Sequence, residues 1–330
     1  MTIAPHQGML TFMVTAVLLA LPSLTNGKIL HVRPTSTNTS CPTYPCHTLS
    51  EYAQHNGEYF KNSIITLQFL QGIHTLIVNL DISDIQQLEI LGNPSAVIPT
   101  SIVCSSYVGF TFRNITVVRI EGLVFASCGR NLQIRVPIYL DQTIYNYGVY
   151  LELVRMTEIT NCTFQDSFGG ALAVDASHVA LIGYNSFFNG CRKCSNRGCS
   201  RFCFGGGVLA RSSNVNFNGS TTFSNNSATT YSGGGGVYAA FSNVSFNGST
   251  TFGNNSASNG GGVYATFSSV SFNGSTTFNT NSGWVGKGSG GNLVFTPYGI
   301  LIFAYTIFAV TTQFHQPIQV GLACTEGFWP

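Results

Sequence analysis

Four cysteines, Cys191, Cys194, Cys199 and Cys203, fall within thirteen residues. Thiolates at such spacing can hold a zinc ion tetrahedrally. The same four can instead close two local disulfides that brace a loop. The segment also carries Arg192, Lys193, Arg197 and Arg201, four of the chain's fourteen basic residues. That charge reads either as a solvated loop or as a contact surface for an anionic glycan or protein. A second stretch, 129–147, adds Arg130 and Arg135 to the candidate ligand loops.

The compartment weighs on the choice between zinc and disulfides. Met9 to Leu21 is an apolar core followed by small and polar residues up to Gly27, the pattern of a secretory signal peptide at 1–27. The core is too short to span a bilayer. All ten cysteines lie beyond it, an even number. Sequons N-x-[ST] stand at Asn38, Asn114, Asn161, Asn218, Asn225, Asn243, Asn247, Asn254 and Asn273, the glycosylation candidates. Secretion, sequons and even cysteine count favour disulfides, with no metal and no cofactor expected. The disulfide candidates are Cys41 with Cys46, Cys104 with Cys128, and Cys191, Cys194, Cys199 and Cys203 among themselves. Cys162 falls on an inward position matching Leu123, and Cys324 has no evident partner.

Acid–base chemistry needs clustered carboxylates, paired or as Ca²⁺ ligands. The chain has twelve Asp and Glu in all, and none between Ser212 and Gly286. Asp166, Asp175 and Glu152 are the ones to watch for convergence in a groove. There is no Ser/His/Asp signature, no HExxH and no phosphate loop. The expectation is a protein without catalytic residues, not an enzyme. Charged residues are 8% and the net charge is +2, so no strong field favours nucleic acid.

The elements that would carry the two loops follow from a repeat. GGGV, then FNGSTTF, then an Asn-Ser close occur three times, with Gly207-Val208, Gly236-Val237 and Gly262-Val263 opening the copies 29 and 26 residues apart. Periods of this size point to a solenoid. Val215-x-Phe217 and Thr221-x-Phe223 alternate with a period of two, and β-formers dominate. The Gly clusters and Asn-Asn-Ser are read as corners needing positive φ. Stacking coils would place Phe217 on Phe246 on Phe272 and Phe223 on Phe252 on Phe278, with Asn225, Asn254 and their neighbours as an internal amide ladder. A degenerate repeat extends upstream. Gly109–Phe125 aligns with Gly148–Phe164 at an offset of 39, setting Arg113 beside Glu152 and Arg119 beside Glu158. Val179 to Asn189 aligns with Val215 to Asn225 at an offset of 36. In these registers the insertions near 129–147 and 190–204 leave from equivalent corners, after Phe125 and Phe187.

The motifs GGAL at Gly169–Leu172 and FxxN at Phe223–Asn226, Phe252–Asn255 and Phe278–Asn281 resemble the repeats of polymorphic outer-membrane proteins. That resemblance implies a right-handed parallel β-helix. It covers about residues 109–290, and GGGV departs from GGA in three copies. Signal peptide, CPxxPC and β-helix in that order also look like families of secreted animal proteins. Nothing resembles a C-terminal membrane β-barrel.

The expected fold is all-β, a right-handed single-stranded parallel β-helix with an N-terminal cap containing a short helix. The divisions are 1–27 signal peptide, 28–92 disulfide loop and cap, 93–290 β-helix, and 291–330 terminal coil. The cap helix is sought in His47–Phe60, with Ser50 as N-cap. Leu293–Val310 is uncharged and reads as a last coil, with Ile300, Ile302 and Phe308 matching Val270, Phe272 and Phe278. A membrane segment at 293–310 is the alternative. The expected role is a secreted scaffold for extracellular recognition, adhesion or matrix structure, with an extracellular protein or glycan as partner; membrane anchoring at the cell surface, and a polysaccharide-acting β-helix enzyme, are the alternatives.

Overall fold

The structure, a computed structural model, describes residues 27–35, 45–55, 59–60, 64–93, 99–105, 108–135, 142–191, 205–228, 233–257, 260–283, 293–295, 300–303 and 308–311. For 130–146 and 293–311 the description is of the backbone alone. The signal-peptide expectation for 1–26 lies outside these residues.

The chain winds as a right-handed parallel β-helix. Each coil contributes one short strand to each of three long parallel sheets. Among the described residues sheet A has eleven strands, from Cys46–Thr48 and Lys28–Arg33 at one end to Ile300–Phe303 at the other. Sheet B runs from Ile73–Leu76 to Phe308–Thr311, and sheet C from Leu80–Ser83 to Leu293–Phe295. The right-handed turn is the one that a twisted strand and its parallel crossover favour. Side chains alternate, so every second residue enters the interior.

The expected registers are observed. Leu151 pairs with Phe112, Ile159 with Ile120 and Phe164 with Phe125, all at 39. Val215 pairs with Val179 and Phe223 with Phe187, at 36. The interior is therefore built in columns. Phe125, Phe164, Phe187, Phe223, Phe252 and Phe278 form one continuous stack, with centroids 4.8–5.1 Å apart. Phe217, Phe246 and Phe272 form a second, at 4.7 and 4.9 Å. Each such contact adds about 1 kcal/mol beyond area burial.

The expected amide ladder exists, and of each Asn-Asn pair it is the second residue, the neighbour of Asn225 and of Asn254, that forms it. Asn226 Nδ2 donates to Asn255 Oδ1 at 3.0 Å, and Asn255 Nδ2 to Asn281 Oδ1 at 2.9 Å. Asn225 and Asn254 are exposed and turn the corner at φ 56° and 54°. The Gly clusters also work differently from expectation. None of Gly205–Gly207 or Gly234–Gly236 has positive φ. They allow close approach instead: a Cβ on Gly235 would lie 2.3 Å from the Gly261 carbonyl oxygen.

At the N-terminal end, helix α1 (Leu49–Gln54) buries Leu49, Tyr52 and Ala53 against the first coils. Its N-cap is Thr48 rather than Ser50. Thr48 and Glu51 form a capping box, in which Glu51 Oε2 accepts the Thr48 N–H at 2.6 Å. Burial opposes ionisation of Glu51, yet the Thr48 amide and hydroxyl, with Arg33 and His47 nearby, hold its pKa below the ordinary value. Ser50 donates to the Thr75 carbonyl instead. The cap and the solenoid also overlap. Strands Ile64–Phe69, Ile73–Leu76, Leu80–Ser83 and Gln87–Leu91 already belong to the three sheets, so the helical ladder starts well before residue 93.

At the other end, Leu293–Phe295, Ile300–Phe303 and Phe308–Thr311 are strands that pair in parallel onto the preceding coil, one in each sheet. Among the described residues no helix is long and apolar enough to cross a membrane. Their register differs from expectation by one residue in sheet A, where Val270 pairs with Leu301 and Phe272 with Phe303. In sheet B it differs by two, with Phe278 opposite Val310. Both parities of Ile300–Phe303 are apolar, so hydrophobicity alone does not choose between them.

Candidate functional site

Three corners join the sheets, and they are not equivalent. The corner from C to A is turned each time by a single residue at positive φ, among them Asn114, Leu153, Ala176, Ser212, Phe241 and Phe267. Inside it a serine ladder links the coils: the Ser177 N–H donates to Ser213 Oγ, Ser213 N–H to Ser242 Oγ, and Ser242 N–H to Ser268 Oγ. The corner from A to B is similarly tight, with Gly122, Asn161 and Gly183 at positive φ. The corner from B to C opens with Ser127, Asp166, Asn189, Asn225, Asn254 or Thr280 in the left-handed region, and then varies in length.

Both insertions leave at this third corner. The first is a β-hairpin: Arg130–Arg135 pairs antiparallel with Gln142–Glu152, from Arg130 opposite Tyr147 to Arg135 opposite Gln142. The second follows Asn189 two coils later. Each root is bound by a disulfide. Cys104 and Cys128 are bonded across adjacent coils, with Cα atoms 4.8 Å apart, directly before the hairpin. Cys191 is disulfide-bonded where the second insertion begins, and its N–H donates to the Gly169 carbonyl at 2.6 Å. Cys46 is disulfide-bonded as well. The bonding partners of Cys46 and Cys191 lie outside the described residues, as do Cys41, Cys194, Cys199, Cys203 and Cys324. So do Arg192, Lys193, Arg197 and Arg201, the side chains of Arg130 and Arg135, and Asn38. Cys162 is a free, fully buried thiol, pushed up to about 12 by burial.

The carboxylates do not gather as a groove-lining trio. Asp166 sits at the B-to-C corner and accepts from Asn189 Nδ2 at 3.0 Å. Glu152 and Asp175 are neighbours at the far end of sheet C. Glu152 is held by Arg113 Nε at 2.6 Å, and Asp175 by Arg211. Arg119 does not reach Glu158: it pairs with Glu121 on its own strand at 2.7 Å, although Glu158 is its register partner. Glu89, Arg119 and Glu158 thus form an outward column on sheet A, flanked by Glu121. Among the described residues no group of three or more His, Cys, Asp or Glu is placed to hold a metal ion.

Sequence reasoning missed one polar group. Tyr150 OH donates to Asp175 Oδ2 at 3.2 Å, and Arg211 Nε donates to Asp175 Oδ1 at 2.9 Å. Burial raises the Tyr150 pKa, and the Asp175 charge adds to it. The signal was available, because the offset of 36 that aligns Val179 with Val215 also sets Asp175 opposite Arg211. Beside this group, Tyr150, Ala173, Leu209 and Tyr264 stand between inward residues of sheet C yet are buried, and the first three form a cluster separate from the main core. Sheet C is therefore apolar on both faces, which its unbroken runs such as Gly170–Val174 already encode.

No family model matches the sequence, and no curated protein matches it. Two solved structures align with the chain. Jun a 1, the major allergen from cedar pollen, does so at 12% identity over 89% of this chain and 83% of its own, with a TM-score of 0.36. A candidate glycosyl hydrolase from Parabacteroides merdae does so at 11% identity over 78% and 86%, with a TM-score of 0.27. These likenesses concern the fold and carry over no site. They do overturn one expectation: a chain named as a glycosyl hydrolase aligns with this one, so the exclusion of enzymes drawn from scarce carboxylates is withdrawn.

Proposed function

We propose that the chain is a secreted or cell-surface glycoprotein scaffold that presents a ligand-binding face for extracellular recognition, adhesion or matrix structure. The observation that carries this reading is the location of both insertions at one corner, two coils apart, each with a disulfide at its root. Insertions on one side of a solenoid build a continuous face, while the coils behind supply stiffness. The basic residues Arg130, Arg135, Arg192, Lys193, Arg197 and Arg201 all belong to these two insertions, so an anionic glycan or acidic protein is the partner class that fits. The experiment is a glycan array probed with the protein and with a variant in which Arg192, Lys193, Arg197 and Arg201 are all Ser. Loss of binding to sulfated or uronic-acid glycans is expected; equal binding by both proteins would sink the reading.

A second reading, action on a polysaccharide, is favoured by the column on sheet A. Glu158 has no ion-pair partner among the described residues and stands beside the Arg119–Glu121 pair. A carboxylate free of any ion pair can take a proton as a general base, and the neighbouring guanidinium, which stays charged, can hold an acidic group of a sugar chain. Release of new chain ends from a polysaccharide panel, abolished by Glu158→Gln, would support it, and equal release by the variant would remove it.

A further inference from the structure

We propose that Asn161 carries an N-linked glycan and that Tyr184 is the platform on which its first sugar rests. The inference rests on the secretory reading above. Eight sequon asparagines lie among the described residues, and all eight are exposed. Their amides are not equally free. Asn114 Nδ2 donates to Asp84 Oδ1 at 2.6 Å, and Asn243 Nδ2 to Asn214 Oδ1 at 2.9 Å. Asn247 Nδ2 donates to Asn218 Oδ1 at 2.9 Å, and Asn273 Nδ2 to Asn247 Oδ1 at 2.8 Å. At these four the nitrogen that would bear the sugar is engaged in a contact between coils. Stacked coils lie about 4.8 Å apart, too close for pyranose rings on adjacent rungs.

Asn161 has the opposite arrangement. Its Oδ1 accepts the Tyr184 N–H at 2.9 Å, which fixes the carboxamide and leaves Nδ2 as the unbonded end of an exposed side chain. The third sequon position is Thr163. Tyr184 itself is 77% exposed, the highest of the large hydrophobic side chains described. An aromatic ring held in water with no ring contact is unusual, and its apolar body suits the C–H face of a sugar. The corner does not need the tyrosine: two coils earlier Gly122 alone makes the turn, and the residue after it, Leu123, corresponds to Asn185, so Tyr184 is an added residue.

The covalent step draws on a polyprenyl-pyrophosphate oligosaccharide and the cell's oligosaccharyl transferase, acting on the exposed Asn161 side chain. The Asn161 Nδ2–C1 bond forms and the C1–O bond to pyrophosphate breaks. One Nδ2 proton is lost, and the lipid pyrophosphate leaves with the bonding pair.

The test uses the full mature chain behind a heterologous secretory leader, so that export does not depend on residues 1–27. Protein from the medium is mapped by glycopeptide mass spectrometry and melted before and after enzymatic deglycosylation. Expected are occupancy at Asn161 above that at Asn247, and a melting temperature that drops on deglycosylation. Tyr184→Ser, a surface change that leaves the fold intact, should erase that drop, and Tyr184→Phe should keep it. An empty Asn161, or the same drop in Tyr184→Ser, overturns the proposal. Export is scored separately with the native leader, and its failure there counts against the secretory reading alone.

Discussion

His74 is an ionisable group held inside the solenoid, where it packs edge-on against Phe69 at 4.8 Å and its Nε2 meets the Leu70 carbonyl at 2.7 Å. Burial lowers its pKa below 6.5, outweighing the Leu70 bond that favours the charged ring. The unfolded chain takes up a proton at this residue near pH 6.5, whereas the folded chain does so only at lower pH. Stability from the neutral ring is therefore complete above that pH and is lost as pH falls through the folded pKa. The melting temperature should decline below about pH 6.5, and His74→Gln should flatten that decline; an unchanged pH profile in the variant would exclude His74 as its source. Asn255 shows the opposite strategy, a buried polar group with every partner supplied. Its Nδ2 serves Phe223 O and Asn281 Oδ1, while its Oδ1 accepts from the Asn226 amide and backbone N–H. Asn255→Ala strands the groups on both sides, and each costs about 1–3 kcal/mol. We expect a loss of about 3 kcal/mol in denaturant unfolding, against about 1 kcal/mol for the exposed Asn254→Ala, which loses the tolerance of Asn for the left-handed corner.

At the scale of elements, the roots of the insertions decide whether a stiff face exists at all. The Cys104–Cys128 bridge closes a loop of 24 residues and ties the last turn before the hairpin to the coil beneath it. Loop closure of that size contributes about 3 kcal/mol. The double change Cys104→Ser, Cys128→Ser should lower stability by about that amount and speed proteolysis between Gly129 and Tyr147; an unaltered cleavage rate would show that the hairpin is held by strand pairing alone. The same elements show what could be read in advance. The registers at 39 and 36 were legible because Arg113, Glu152, Phe125 and Phe164 mark their strands with distinct chemistry. The register of Ile300–Phe303 was not, since a one-residue slip exchanges apolar for apolar. The amide ladder was legible only to within one residue for a related reason: Asn225 and Asn226 are chemically identical, and only the corner backbone assigns one to solvent and the other to the interior. The candidate loops were legible as insertions, and the corner they share follows from the coil register; spacing also set Arg119 beside Glu158, but that Arg119 turns to Glu121 on its own strand depends on side-chain directions that spacing does not supply.

For the whole molecule, stability in a solenoid is a sum over coils and their nearest-neighbour contacts. The three near-identical coils make that additivity testable, because each column continues unchanged across them. Val208, Val237 and Val263 are consecutive register partners, as are Phe217, Phe246 and Phe272, and Phe223, Phe252 and Phe278. Deleting residues 237–262 removes one complete turn and brings Val263 onto Val208, Phe272 onto Phe217 and Asn281 onto Asn226. No charged group is lost, since this turn has none, and the Asp175–Arg211 pair stays in the coils before it. The shortened chain should fold, with a circular dichroism spectrum of the same shape and a length reduced by about 4.8 Å in solution scattering. Deleting residues 208–236 instead also conserves the columns but places Ala240 where Arg211 was, leaving Asp175 buried without its guanidinium, a defect that costs about 3–5 kcal/mol. The first deletion should thus be clearly more stable than the second, although it removes nearly the same mass. Equal stability of the two would mean that the Asp175 pair contributes little and that the coils act through the hydrophobic columns alone.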